Sequence, residues 1–309
     1  MKILMFGGTR FFGKQVLKYL IDHEIVVVSR KIPDITNTNI THIQLERDHP
    51  DILKKICFHA PYDMVFDNIA YQPQQIEMIY ESLYDNPPRT YMLTSTVAVY
   101  FDQYNQSILN ENDQIPSGFQ DELFFDAGFI NYAYGKYKCE LFLKNQSRFP
   151  YIILRLPFVA GPGDFSFRLA YFIHRIRKGE IVIPENAVNI QQLFSNDIPK
   201  VVFELSKKIE LFSNQIINIT PDAILVSDFI KLLAETMNCN CNIITTSLDE
   251  WKNREPDFPY FYNQIMSNEK YHTYFEYTLT KMEKFLPITL SWYLSNEQLW
   301  KKNWFTEKK

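Results

Sequence analysis

A glycine-rich turn between two apolar segments constrains the fold of this 309-residue chain more than any other feature. Lys2–Phe6 is a short apolar run typical of a buried parallel strand, and residues 12–21 carry apolar side chains at helical spacing. The turn between them is Gly7-Gly8-Thr9-Arg10-Phe11-Phe12-Gly13. Glycines in this context let the backbone approach a diphosphate at the positive end of a helix. A plain strand-to-helix turn is the alternative, and the pattern that follows favours a dinucleotide site.

Strand-like and helix-like segments continue to alternate through the first half of the chain. Further apolar or β-branched runs lie at 24–29, 40–45, 64–67, 91–95 and 152–156, and helical spacing lies at 51–57 and 74–84. This pattern predicts an α/β fold, a Rossmann-type doubly wound parallel sheet with a smaller, interwoven C-terminal α/β substrate lobe. We expect a dinucleotide-binding Rossmann domain over 1–164, with 188–220 returning to it, and a substrate-binding lobe over 165–187 and 221–309.

Composition and charge argue against several classes of function. The formal net charge is -4, so nothing attracts the whole chain to nucleic acid, although a local basic patch stays open as an alternative. No run reaches the roughly 18 apolar residues of a membrane span. The four cysteines fit a reducing compartment, and Cys239-Asn240-Cys241 lacks the further ligands of a zinc site. We therefore expect a soluble cytoplasmic protein with no metal and no membrane partner.

One spacing indicates proton-transfer chemistry. Tyr134 and Lys138 are four residues apart, and in a helix they would lie on one face, one turn from each other. An ammonium near a phenol favours the phenolate, so the tyrosine could move protons near neutral pH. The Thr96 hydroxyl would complete a donor set aimed at a substrate oxygen. Together these groups are typical of an oxidoreductase with a nicotinamide cofactor, whereas the pair alone could equally be a core tyrosine and a solvated lysine.

The residues after the second strand bear on which nicotinamide cofactor binds. Rossmann sites for NAD usually carry an acidic residue there, which bonds the ribose diol, whereas this chain has Ser29-Arg30. Arg30, with Arg10 in the glycine turn, suits the 2′-phosphate of NADP. We therefore favour NADP over NAD; the alternative is that Arg30 is solvated and Arg10 caps a helix or pairs with a carboxylate.

Further cofactor contacts are expected where other strands end. Glu46 or Asp48, after the third strand, could reach the adenine edge, and Arg47 between them is a further candidate cofactor contact. Asn68, Ile69 and Ala70 follow the fourth strand, where a ribose and nicotinamide would pass. Strand-end capping and packing are the alternative roles for these residues.

With these segments assigned, the chain resembles the extended short-chain dehydrogenase/reductase superfamily, the NAD-dependent epimerase/dehydratase group, over nearly its whole length. The glycine turn resembles that family's G-x-x-G-x-x-G loop with Arg10 in place of the middle glycine. Residues 93–100 resemble the strand end with the catalytic Ser or Thr, and 155–164 resemble the segment that bridges the two lobes. The loop is most similar to the branch with plastid stem-loop RNA-binding proteins and bacterial epimerase-like reductases.

The resemblance implies a role for each matching residue. Tyr134 would be the general acid/base, Lys138 would lower its pKa and hold the nicotinamide ribose, and Thr96 would bond the reacting oxygen. The remaining cofactor contacts that it implies come from the glycine turn, the fifth strand and the residues flanking the nicotinamide ring: Gly7, Thr9, Arg10, Phe11, Phe12, Gly13, Thr94, Ser95, Pro157 and Phe158. A homodimer through the helices around 74–84 and 134–145 is also implied.

Departures from the family pattern concern the substrate. Val97-Ala98 replace the Asp-Glu of the sugar dehydratases, and Ile190 stands where sugar-nucleotide epimerases carry an arginine for the substrate diphosphate. Arg168, Arg175 and Arg177 offer other cations for the substrate, with Arg168 as the candidate contact, and a solvated basic helix face is the alternative for all three. Aromatic residues in 101–130, among them Phe124 and Phe125, would roof the pocket, and 257–262 would line it.

We therefore predict an NAD(P)-dependent oxidoreductase or epimerase-like enzyme that moves a hydride between nicotinamide and a hydroxyl or carbonyl carbon of a small, sugar-like substrate. The alternative is an NADP-holding RNA-binding or regulatory protein on the same fold, without turnover.

Overall fold

A computed structural model describes residues 1–35, 37–100, 108–113, 127–146, 148–185, 188–255, 258–259 and 265–306. Numbered in chain order, its strands are β1 (Lys2–Phe6), β2 (Glu24–Ser29), β3 (Ile40–Gln44), β4 (Met64–Asp67), β5 (Thr90–Thr96), β6 (Tyr151–Leu156), β7 (Phe158–Ala160), β8 (Glu180–Pro184), β9 (Asn189–Ile190), β10 (Gln192–Phe194), β11 (Gln215–Asn218), β12 (Ile224–Leu225) and β13 (Asn242–Thr246). Its helices are α1 (Phe11–Tyr19), α2 (Ile52–Phe58), α3 (Pro73–Ser82), α4 (Ala127–Asn145), α5 (Arg168–Arg177), α6 (Ile198–Lys207), α7 (Val226–Thr236), α8 (Leu248–Arg254), α9 (Glu269–Tyr274), α10 (Met282–Ser295) and α11 (Glu297–Thr306). A 3-10 turn, Val97–Tyr100, follows β5.

Seven parallel strands form the central sheet, in the order β11-β6-β5-β4-β1-β2-β3. The chain runs outward from β1 to β3 and then returns to the other side of β1 with β4, so the strand order reverses between β1 and β4. Ligands of doubly wound sheets bind at such a reversal, beyond the carboxyl ends of the strands. The predicted α/β, Rossmann-type fold is confirmed.

Both faces of the sheet are covered, which explains why its inner strands are apolar throughout. Along β1, Ile3 and Met5 join the core beneath α1 and α6, whereas Leu4 and Phe6 join the core beneath α2, α3 and α4. This alternation follows from the two-residue period of a strand. The sheet is therefore a buried platform whose carboxyl edge presents the loops after β1, β2, β4 and β5.

A second core lies among α5, α7, α10 and the parallel pair β8 and β13. It is rich in buried rings, including Phe172, Phe229 and Phe258, whose neighbouring rings meet edge to face. The segment Gly161–Asp164 leads from β6 and β7 into this core, and β11 then returns the chain to the central sheet. Phe124, Phe125 and most of 257–262, the predicted pocket roof and wall, lie outside the described residues.

Within the described ranges, no helix has the length and apolar character needed to cross a membrane. The same part of the chain holds no group of three or more His, Cys, Asp and Glu side chains arranged to hold a metal ion.

Candidate active site

The turn after β1 is built so that only glycine fits at two of its positions. Gly7 has a φ of +85°, and a Cβ there would lie 2.7 Å from Ile69 Cγ2. A Cβ at Gly13 would lie 2.4 Å from the Gly7 carbonyl oxygen. The positive φ excludes other residues at Gly7, and the clash with a backbone oxygen excludes any side chain at Gly13. This leaves the backbone at the start of α1 accessible to a ligand.

Asn68 supplies a sign that a ligand belongs in this cleft. Its backbone N–H donates to the Phe6 carbonyl at 3.1 Å, which holds the residue against the glycine turn. Its side-chain Oδ1 is buried without a hydrogen-bond partner. Buried acceptors are rarely left unpaired in folded proteins. An orphaned acceptor beside a glycine turn fits a nucleotide hydroxyl, so the residues present suit a dinucleotide.

The structure corrects the prediction for Arg47. Its guanidinium donates two hydrogen bonds to Asp67, at 2.8 and 2.9 Å, and a third to the Gln75 carbonyl at 2.9 Å. Both side chains are buried, and Tyr91 donates to the same carboxylate at 2.5 Å. Asp67 in turn accepts the Ile69 backbone N–H at 3.0 Å. Arg47 is therefore committed to fixing the turn after β4 and does not reach the cleft.

The end of β2 leaves Arg30 accessible. The Ser29 hydroxyl is already used, because it donates to the Lys31 carbonyl at 2.8 Å and lies 2.9 Å from His42 Nε2. Arg30 and Glu46 have side chains 72% and 71% exposed, and their charged groups are 3.9 Å apart. An exposed pair at this distance is weak and easily separated by a ligand.

Helix α4 turns a tyrosine and a lysine toward the carboxyl end of β5. The Tyr132 hydroxyl is hydrogen-bonded to the Thr96 side chain. One turn later, the Lys136 ammonium donates to the Thr94 carbonyl at 2.7 Å and lies 4.9 Å from the centre of the Tyr71 ring. Burial raises the pKa of Tyr132, and the Thr96 hydrogen bond and the Arg168 charge oppose this rise. Burial lowers the pKa of Lys136 to about 8.

The prediction that Tyr134 and Lys138 face Thr96 is wrong. Tyr134 is 41% exposed, and the Lys138 ammonium lies over its ring at 4.3 Å on the outer surface of α4. Residues two apart on an α-helix point about 200° apart, so only one of the two Tyr-x-x-x-Lys pairs can face the sheet. The structure places Tyr132 and Lys136 there.

The buried residues of α4 show which sequence pattern could have identified the helix face that points toward the sheet. Cys139 and Leu143 are both fully buried, and they continue the stripe that begins with Tyr132 and Lys136 at steps of three and four residues. Gly135 lies on the same side, because a Cβ there would be 2.2 Å from the Tyr71 carbonyl oxygen. The apolar residues downstream thus mark the inner face.

Ser95 also differs from its predicted role as a cofactor contact. Its hydroxyl donates to Glu140 at 2.5 Å, on the α4 side of the sheet. Glu140 also accepts from Arg155 at 2.6 Å, and Arg155 donates to the Tyr100 hydroxyl at 2.6 Å. All four side chains are buried. This network ties α4 to β5 and β6 and thereby fixes the helix that carries Tyr132.

The residues after β6 lie near the same corner. Pro157 separates β6 from β7, and the Arg168 guanidinium lies 5.0 Å from the centre of the Phe158 ring. Leu156 is the register partner of Thr96, so Phe158 begins two residues beyond the position of the threonine. Arg168 makes no ion pair with a carboxylate of the described residues. It is half-buried at the first residue of α5.

A separate polar cleft of about 450 Å³ lies on the outer side of β6 and β11. Its lining includes Glu111, Asp113, Lys144 and Lys270, with mixed charge. Lys270 is already bonded to Gln215 and to the Ile216 carbonyl. Glu140 and Arg155, which belong to the network that ties α4 to β5 and β6, also line this cleft, whereas no residue of the glycine turn lines it.

Comparisons with known proteins bear on this arrangement. No family model matches the chain. The chloroplast stem-loop binding protein of 41 kDa b from Arabidopsis thaliana is 23% identical over 211 residues, which is 62% of this chain and 51% of the relative. The chain thus spans about half the length of that curated relative.

Solved structures match over almost the whole chain. The UDP-glucose 4-epimerase of Thermotoga maritima, solved with UDP-glucose, has a TM-score of 0.72 at 16% identity and covers 96% of this chain and 100% of its own. The UDP-glucuronic acid 4-epimerase of Bacillus cereus, solved with NAD, has a TM-score of 0.71 at 16% identity and covers 96% and 99%. The chain therefore shares its fold with epimerases of the NAD-dependent epimerase/dehydratase group.

Proposed function

We propose that this protein binds a nicotinamide dinucleotide in the cleft at the β1/β4 reversal. We propose that it moves a hydride to or from a hydroxyl-bearing carbon of a small substrate. The observation that carries the proposal is the meeting of Tyr132, Thr96 and Lys136 at the carboxyl end of β5, beside a turn where only glycine fits. The epimerases of the same fold, one of them solved with NAD, support it.

Tyr132 is the proton-transfer group in this proposal. When bound, the nicotinamide supplies or accepts the hydride. Burial keeps the Tyr132 phenol protonated in the protein as it stands, because its pKa is raised. The Thr96 hydroxyl holds that phenol toward the reacting oxygen. General acid/base help of this kind typically contributes about 10² to 10⁴ in rate.

Lys136 has two tasks. Its ammonium has three N–H donors, and the Thr94 carbonyl takes one of them. The remaining donors are available to a ribose hydroxyl and to the phenol one turn away. The charge that favours the Tyr132 phenolate, when a substrate alcohol is to be deprotonated, is that of Arg168, which lowers the pKa of the phenol.

Arg168 gives the substrate side of the cleft a positive charge. Its guanidinium lies close enough to Tyr132 to lower the pKa of that phenol, and it packs against Phe158. A planar guanidinium suits a carboxylate or phosphate group with two parallel hydrogen bonds. We propose that the substrate carries its hydroxyl at Tyr132 and an acidic or strongly polar group at Arg168.

The proposal includes a preference for NADP. Arg30 stands at the end of β2 where an NAD site usually has an acid, and its pairing with Glu46 is weak. Titration of the purified protein with NADPH and NADH should give tighter binding of NADPH. In Arg30→Ala, the affinity for NADPH should fall by about tenfold, the equivalent of one charge-assisted hydrogen bond, while that for NADH should hold. Tighter binding of NADH by the wild type would reverse the assignment.

Two matched substitutions test the catalytic assignment. Turnover is followed by nicotinamide absorbance against a panel of UDP-sugars and sugar acids. Tyr132→Phe should lower turnover by about 10² to 10⁴ with cofactor binding retained. Tyr134→Phe, on the outer surface of the same helix, should leave turnover unchanged. Full turnover in Tyr132→Phe would refute the mechanism.

A stem-loop RNA ligand is the second candidate, and the Arabidopsis relative motivates it. The net charge of -4 argues against it. An electrophoretic shift assay with structured RNA decides the matter, since salt-sensitive binding would favour this alternative. A homodimer through α3 and α4 and a cytoplasmic location remain predictions.

A further inference from the structure

A guanidinium and two aromatic rings join the glycine turn to the lobe that would hold the substrate. The Arg10 guanidinium lies 4.3 Å from the centre of the Phe165 ring. The Phe11 ring meets the same Phe165 ring edge to face, with centroids 6.1 Å apart and planes at 81°. Phe165 follows Gly161–Asp164, the segment between the two lobes. The contact therefore bridges the cleft in which the dinucleotide is proposed to lie.

Phe11, which contacts Phe165, has an unfavourable backbone conformation. Phe11 has a φ of +47°, a left-handed conformation that residues other than glycine rarely adopt. Gly163 lies close by, since a Cβ there would be 3.8 Å from the Phe11 Cα. Outliers of this kind persist where the surrounding structure imposes them, and they cluster at ligand sites.

Phe165 is anchored from the other side. Asp164, immediately before it, is buried and accepts the Tyr293 hydroxyl of α10 at 2.9 Å. The same carboxylate accepts the backbone N–H of Ser166 at 2.9 Å and its hydroxyl at 2.6 Å. Phe165 itself is 53% exposed. It is thus a surface ring on a fixed backbone, and not a member of the core.

Arg10 presents a positive charge at the place where a diphosphate would lie. It is exposed, it begins α1 at the N-cap position, and the first turn of α1 contains no acidic residue. It makes no ion pair with a described carboxylate. A guanidinium stacked on a ring by its face keeps its N–H edges free to donate.

We propose that Phe165 is a positioning residue for the cofactor, which holds Arg10 across the mouth of the cleft so that the two side chains cover the bound diphosphate. The inference rests on the proposed function, because it requires a bound dinucleotide. The cover must separate before the cofactor can leave. Its removal should therefore speed release more than it changes association.

Release is measured by loading the protein with NADH or NADPH and chasing with excess oxidised cofactor in a stopped-flow fluorimeter. Phe165→Ala and Arg10→Ala should each speed release by about three- to tenfold, the range of one cation–π contact. The double variant should be no faster than Arg10→Ala, because Arg10→Ala already removes both the contact with Phe165 and the N–H donors to the diphosphate. Phe165→Trp should restore slow release.

Phe203→Ala is the matched control, since Lys207 lies over the Phe203 ring at 3.9 Å on α6. It should leave release unchanged. Wild-type release rates in Phe165→Ala, or additive effects in the double variant, would refute the proposal that Arg10 and Phe165 cover the diphosphate. An effect on NADPH alone would also overturn it, because the diphosphate is common to both cofactors. Failure of the wild type to bind either nucleotide would overturn the proposed function itself, and the cover with it.

Discussion

Lys136 offers a test of the site that needs no substrate, because its charge is costly to bury. The residue is 3% exposed, and burial lowers the pKa of its ammonium from 10.5 to about 8. Between about pH 8 and pH 10.5, the unfolded chain therefore holds a proton that the folded protein has released. A pKa difference of this size corresponds to roughly 3 kcal/mol. The stability of the wild type should thus gain up to this amount as pH rises through that window, and should carry the full cost below it.

Lys136→Met removes the ammonium and keeps an unbranched apolar side chain. At pH 7 we expect the free energy of unfolding to increase by about 1 to 3 kcal/mol. The lower end allows for the Thr94 carbonyl, which loses the 2.7 Å hydrogen bond from Nζ. Cofactor affinity should fall in the same variant, because the ribose loses its donor. Greater stability together with lost binding is the expected signature of a functional buried charge.

Urea unfolding followed by tryptophan fluorescence at pH 7, 8.5 and 9.5 measures the effect. The difference between Lys136→Met and the wild type should shrink as pH rises. Lys138→Met, exposed on the same helix, should stay within about 0.5 kcal/mol of the wild type at each pH. A Lys136→Met variant that is less stable than the wild type, by an amount independent of pH, would show that the ammonium is stabilised by its partners. That result would refute the reasoning.

Two further substitutions test the parts of the fold that position the site. Asp67→Asn leaves Arg47 buried without its counter-charge and should lower the free energy of unfolding by about 3 to 5 kcal/mol. Asp228 forms an exposed pair with Lys231, so Asp228→Asn should change the free energy of unfolding by less than about 1 kcal/mol. Equal effects of these two variants in urea unfolding would contradict the role given to the buried pair. Gly135→Ala places a Cβ 2.2 Å from the Tyr71 carbonyl oxygen, and we expect a loss of about 1 to 3 kcal/mol in the same assay. An unaffected Gly135→Ala would mean that α4 is not seated as described.

The sequence by itself determined the architecture. Apolar runs of strand length, alternating with helical spacing and opened by a glycine turn, predict a doubly wound parallel sheet, because few other folds bury such strands on both faces. The same reasoning placed the glycine turn between the first strand and the first helix, and Thr96 directly after the fifth predicted strand. These features depend on the spacing of apolar residues in strands and helices and on the backbone conformations open to glycine, and both can be recognised from neighbouring residues in the sequence.

Only the tertiary structure decided which side chains face the cleft. Two Tyr-x-x-x-Lys pairs overlap on α4, and the close approach of Gly135 to the Tyr71 carbonyl seats the helix so that Tyr132 and Lys136 point inward. The side chains of Arg47 and Ser95 are taken by Asp67 and Glu140, partners 20 and 45 residues away in the sequence. Contacts between distant segments set the pairing of these buried charges, and no local pattern encodes it. Cys139 and Leu143 give a local mark of the inner face of α4, but the competing spacing of Tyr134 and Lys138 left the choice between the two pairs to the contact with Tyr71.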